Sequence, residues 1–139
     1  MPVPFTDAWA AAYCAALNAS AAFRAAAAGW PWPVALALDP APTLGYPTAV
    51  AVEVTLDRGS CRGARLTTPE ATDAPIVLRG PYDAWKRIVR GELDPVLAVA
   101  TGRLALARGA LTTLMLHTGA ARALVAVARD VPTEFPDEG

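Results

Sequence analysis

The sequence has one histidine, His117, one lysine, Lys86, and two cysteines, Cys14 and Cys61, in 139 residues. A lone histidine cannot supply a histidine-rich metal site, and no serine or cysteine motif accompanies it. A satisfied or partly exposed helix position is its expected role. Cys14 falls in a helical pattern and Cys61 in a strand pattern, with neither metal-ligand spacing nor a disulfide framework. Two reduced core thiols are therefore expected. There is no phosphate loop and no dinucleotide fingerprint, and Gly91 to Gly109 is too widely spaced to imitate either. Strong charge of either sign is missing too. A net charge of -1 and a pI near 5.7 leave no electrostatic footprint for nucleic acid or for an anionic membrane surface.

Targeting signals are equally scarce. No basic residue precedes Arg24, and Asp7 stands where a secretory leader would be positive. The run 8–28 is long enough to span a bilayer but is mostly alanine, interrupted by Asn18, Ser20 and Arg24. No stable membrane insertion is expected, and a cytoplasmic location is the simplest consequence. The carboxylates do not pair into an acid and base either. Asp94 is explained as a helix N-cap, Asp83 as first-turn dipole compensation, and Glu53 as the partner of an arginine across a sheet. No catalytic residue, metal or cofactor is assigned.

What is present is apolar. Hydrophobic residues make up 54% of the chain, much of it alanine, and 139 residues bury one core, so residues 1–139 are read as one domain. Thr6-Asp7 opens a helix that places Phe5, Trp9, Tyr13, Leu17 and Phe23 in one stripe if it runs unbroken to residue 28. Gly29-Trp30-Pro31-Trp32-Pro33 ends it, the two indoles folding over a core edge or rimming a ligand entrance. Residues 34–38 read as a strand. Residues 48–57 alternate strictly, with Val50, Val52, Val54 and Leu56 toward a core and Ala49, Ala51 and Glu53 toward solvent. Asp57-Arg58-Gly59-Ser60 turns the chain into a strand over 61–67. A fourth strand begins at Ile76, and after Gly109 one apolar helix runs from Leu111 to about residue 131, followed by a frayed acidic tail.

The best-marked stretch is 80–109. Gly80-Pro81 starts a helix with Trp85, Ile88 and Val89 on one face, and Gly91 ends it. Asp94-Pro95 starts a second helix holding Ala98, Gly102 closes it, and Arg103-Leu104-Ala105-Leu106 begins a strand. Strands run separately from helices, which argues an α+β fold: a five-stranded, largely antiparallel sheet with helices packed on one face.

This order of elements, carried by Trp85, Ile88, Gly91, Asp94-Pro95, Ala98, Gly102-Arg103-Leu104 and Leu106, resembles the sterol carrier protein 2 family. Two positions depart from the family pattern: the glycine ending the strand lies one residue later, at Gly109 after Arg108, and Val99 replaces an aromatic. The resemblance implies non-enzymatic carriage of a fatty acid, acyl chain or sterol-like lipid in a hydrophobic tunnel between sheet and helices. It places the lipid contacts on Trp85, Ile88, Leu97, Leu104, Leu106, Leu111, Leu114 and Met115. The alternative is a module of the same fold with a filled core that forms a homodimer, or docks an enzyme, through exposed apolar helix surface.

Overall fold

The alternating run forms the second strand of the sheet in a computed structural model of the chain, which describes residues 1–138. The strands are β1 (Val34–Leu38), β2 (Val50–Asp57), β3 (Ser60–Thr67), β4 (Ile76–Gly80) and β5 (Ala105–Arg108). They lie in the order β3-β2-β1-β4-β5, with every neighbouring pair antiparallel except β1 and β4. Val52, Val54 and Leu56 pack with Val34, Leu36, Leu38, Ile76 and Leu78 beneath the helices, and Val50 packs against the same core. The period-two reading therefore gives the right register, because a slip of one residue would have exchanged these aliphatics for Glu53.

The other face of the sheet does not reach solvent as expected. Ala35, Ala37, Ala51 and Val77 are buried there with Ala74, from the 68–75 segment between β3 and β4. Small side chains let that segment lie close to the sheet. Glu53, only 9% exposed, accepts from Thr72 Oγ1 at 2.6 Å and from Arg65 Nε at 2.8 Å. Burial raises its pKa, but the bonds from Thr72 and Arg65 outweigh burial and hold the carboxyl below the usual range. Arg108 donates to the carbonyls of Thr72 and Ala74, both at 2.8 Å, and so ties the segment to the β5 edge.

The helices are α1 (Asp7–Ala19), α2 (Ala21–Ala26), α3 (Tyr82–Val89), α4 (Pro95–Ala100), α5 (Leu111–Leu116) and α6 (Thr118–Ala126), the last continued by a 3-10 turn over Val127–Asp130. Two helices expected to be continuous are broken. Ser20 is extended, ends α1 and caps α2 by accepting from the Phe23 amide at 3.1 Å. The stripe of Phe5, Trp9, Tyr13, Leu17 and Phe23 is nonetheless buried throughout. In the C-terminal helix the break falls at His117, at φ -121 and ψ 36. The acidic tail is not frayed either. Asp137 accepts from the Tyr82 hydroxyl and from Lys86, both at 2.6 Å, Glu138 pairs with Lys86 and Arg90, and Phe135 lies beneath both cations.

The cysteines also correct the sequence reading: Cys14 and Cys61 form a disulfide, their Cα atoms 5.5 Å apart. It staples α1 to β3, where the Asn18 amide also exchanges two 2.8 Å hydrogen bonds with the Cys61 backbone. On the other side of α1, the buried Tyr13 hydroxyl donates to the Leu124 carbonyl, and Trp9 Nε1 donates to Thr133 at 3.0 Å. One helix thus holds a sheet edge and the C-terminal helix together.

The staple and the β2–β3 turn each carry a measurable share of stability. The disulfide bridges a sequence separation of 47 residues. Cys14→Ala/Cys61→Ala is expected to lower unfolding free energy by about 2–4 kcal/mol in chemical denaturation, and dithiothreitol to shift the parent curve toward that of the variant. The β2–β3 turn has Arg58 at φ 47 and Gly59 at φ 97, and a Cβ on Gly59 would lie 2.8 Å from the Arg24 carbonyl oxygen. Strain and a clash with backbone add there, so Gly59→Ala is expected to cost about 2 kcal/mol or more. Gly29→Ala, with open space around it, is expected to stay within about 0.5 kcal/mol in the same thermal melts.

Candidate functional site

The layer between sheet and helices is unevenly filled. At one end aromatic rings crowd together: Phe5 lies 6.2 Å from Trp9, 5.9 Å from Trp85 and 6.5 Å from Tyr46, and Trp9 stacks on Tyr13 at 5.0 Å. The buried Trp85 indole donates to the Ala37 carbonyl at 2.8 Å and pins α3 to β1. Rings of this size leave little space, and the polar handles of Tyr13, Tyr46 and Trp85 are all satisfied.

At the other end lies a cleft. Its floor is Val34 of β1 with Ile76 and Leu78 of β4, and its walls are Pro95 and Val96 of α4, Leu114 of α5, and Ala121, Leu124 and Val125 of α6. Trp30 completes the lining. Every one of these side chains is apolar, so the cleft offers a ligand contact area without a hydrogen bond. Its free volume is about 10 Å³, room for no more than one water. The Trp30 and Trp32 indoles meet the His117 ring edge-to-face at 5.3 and 5.4 Å, and so hold the α5–α6 joint against the 29–33 loop.

Of the residues named from sequence, Leu114 lines this cleft and is 3% exposed. Ile88 lines an adjoining groove. Trp85 and Leu104 are buried elsewhere in the core, and Leu106 is half-buried on β5. Leu97, Leu111 and Met115 face outward at 54%, 43% and 63% exposure, beside Leu116 at 82%. The lipid contacts named from sequence missed the β1 and β4 contributions, Pro95 and Val96 of α4, and all of α6. Strand periodicity alone would have put Val34, Ile76 and Leu78 on the helix side, but not at the cleft rather than under the rings.

The groove beside the cleft has about 340 Å³ of free space and is lined by Ile88, Gly91, Leu93, Asp94, Pro95, Arg122, Val125, Ala126 and Arg129. Asp94 stands at the N-cap of α4, with Pro95 at the first helical position, but its side chain makes no capping hydrogen bond. It accepts instead from Arg122, Nη2 at 2.9 Å and Nε at 3.1 Å. Those bonds hold the carboxyl below the usual carboxylate range, with a smaller push from the nearby Val96 and Leu97 amides. Among the described residues no group of three or more histidine, cysteine or acidic side chains converges as a metal site. None of the described helices is long and apolar enough to cross a membrane.

The Asp94–Arg122 pair predicts a pH signature. Because the folded pKa is lowered, the stabilisation is fully present above the unfolded value of about 4 and is lost as pH falls through the folded value. Asp94→Asn is expected to lower the melting temperature by no more than a few degrees at pH 7, the pair being well solvated. The gap between variant and parent should close once pH is below the folded value. A gap that persists there would assign the effect to the cap position instead.

No family model and no curated protein matches the chain. Solved structures do. A crystal structure of sterol carrier protein 2 is 42% identical over 93% of this chain and 99% of that one, with a TM-score of 0.88. The solution structure of a conserved hypothetical protein from Thermus thermophilus is also 42% identical, over 94% of this chain and 90% of that one, with a TM-score of 0.86. The apo form of sterol carrier protein 2 from Yarrowia lipolytica, at 13% identity and a TM-score of 0.55 over 86% of this chain and 88% of that one, shares the fold.

Proposed function

The chain belongs to the sterol carrier protein 2 family, and on that premise we propose that it binds and carries a single-chain lipid, without catalysis, in the apolar cleft between sheet and helices. The observation that supports this most is the cleft lining, which is apolar throughout and draws on β1, β4 and three helices. Burial of apolar area would supply the affinity, at about 25 cal/mol per Å², so chain length and shape would set selectivity.

A lipid needs far more than about 10 Å³, since ligand sites of drug size run to several hundred. Uptake therefore requires a wall to move. The six residues of α5 are the best suited: Leu114 alone among them is buried, and the helix ends at the non-helical His117. Moving α5 gives up the contacts of Leu114 and leaves the α1, α3 and sheet packing in place. Leu111 and Met115, named from the family resemblance, would join the lining only after such a movement.

A second reading is favoured by the exposed Leu97, Leu111, Met115 and Leu116, which fit a homodimer or an enzyme-docking face over a closed core. Native mass spectrometry separates the two, because retained lipid and subunit number are read together. The carrier reading expects a monomer mass plus an acyl or sterol-like ligand.

Leu114→Trp tests the cleft itself. The added volume is expected to cost about 1–3 kcal/mol in a thermal melt, since Leu114 is already packed. A fluorescent long-chain fatty acid should bind at least about tenfold more weakly to this variant than to the parent. If the parent binds neither fatty acids nor acyl-coenzyme A nor sterols, and ligand excess does not raise its melting temperature, the carrier reading fails.

A further inference from the structure

The groove and the cleft share two lining residues, Pro95 and Val125. The groove thus adjoins the cleft across these two side chains, with Ile88, Leu93 and Pro95 giving it an apolar lining. Its rim is charged. Arg122 is engaged by Asp94. Arg129, by contrast, has no ion pair and no side-chain hydrogen bond among the described residues. Its guanidinium lies across Gly91, where a Cβ would come within 2.5 Å of both Cζ and Nε. Gly91, at φ 77, both ends α3 and leaves the space that the guanidinium occupies. Any other residue there would push the arginine away from the groove.

Arg122, Arg129 and Asp94 leave one net positive charge at the groove, on a planar donor that suits a carboxylate. We infer that this groove receives the headgroup of a single-chain lipid carboxylate, and that Arg129, seated over Gly91, makes the protein prefer the ionised acid to an uncharged lipid of the same chain. The inference rests on the lipid-carrier reading. It supplies the polar contact that the cleft lacks: the chain inserts past Pro95 and Val125, and the carboxylate stays at the wet rim. There the anion keeps part of its hydration, so an exposed arginine adds affinity without the penalty of burying two charges. Added salt should weaken the preference for the same reason.

The test is a pair of titrations with a fluorescent long-chain fatty acid and the alcohol of identical chain, on the parent, Arg129→Gln, Arg129→Lys and the control Arg87→Gln, an arginine that does not line the groove. The parent is expected to bind the acid about tenfold tighter than the alcohol, as one charge-assisted contact allows. Arg129→Gln should lose that preference by weakening the acid alone, Arg129→Lys should keep part of it, and Arg87→Gln should keep all of it. Equal binding of acid and alcohol by the parent, or a preference that survives Arg129→Gln, overturns the assignment while leaving the carrier reading intact. A parent that binds neither probe overturns both. The acid's advantage should also shrink as sodium chloride is raised from about 20 to about 300 mM; no change with salt would count against an exposed charge pair.

Discussion

Five consecutive side chains of β1, Val34–Leu38, are out of water, and the rest of the architecture follows from that burial. A strand wet on one side would need cover on the other only. Here the larger residues Val34, Leu36 and Leu38 demand a helix layer, while Ala35 and Ala37 accept a thin cover of irregular chain. That thin cover brings backbone carbonyls to the sheet and largely buries Glu53 of β2 beneath it, where unpaired polar groups are costly. Thr72, Arg65 and Arg108 supply the partners. Arg108, one of the two departures from the family pattern, thus has a structural task on the side of the sheet away from the cleft.

The helix layer is made of short pieces because one straight helix cannot follow the sheet and also turn its apolar stripe. Ser20 lets Phe23 reach the core after α1 has passed β3, and His117 lets Leu114 and Leu124 reach the same cleft from two axes. The pieces are then fastened from outside the sheet. The disulfide and Asn18 fix α1 to β3, Tyr13 fixes it to α6, and the acidic tail fixes α3. α5 buries only Leu114 of its six residues, and it walls the cleft. The fastenings are therefore unevenly divided over one layer, and the proposed uptake of a lipid would draw on the less fastened part.

The same division sets what a ligand can meet. The ring-filled end is packed and hydrogen-bonded, so under the proposed function it would stop a lipid entering from the α4–α6 side. The open end carries the arginines. An occupant would therefore lie with its tail toward the rings and its polar end toward the groove, an orientation imposed by where large side chains and charges sit.

Much of this could be read from residues in order. Alternation in β2 fixed which side chains meet the helices, Asp94-Pro95 and Gly91 marked helix ends, and the ordered motif in 80–109 carried the family. These are local effects, settled by φ preference, capping and the period of side chains along a strand. What lay beyond the sequence was every pairing between distant segments. Cys14 meets Cys61 only because α1 crosses β3, the tail meets α3 only because the C-terminal helix returns beside it, and Asp94 leaves its cap for Arg122 only because α4 and α6 are neighbours. Whether Leu114 lines a cleft while Leu104 is ordinary core likewise depends on which neighbours are rings and which are aliphatic. A linear pattern records that a side chain is buried, but the volume left beside it is a property of everything packed around it.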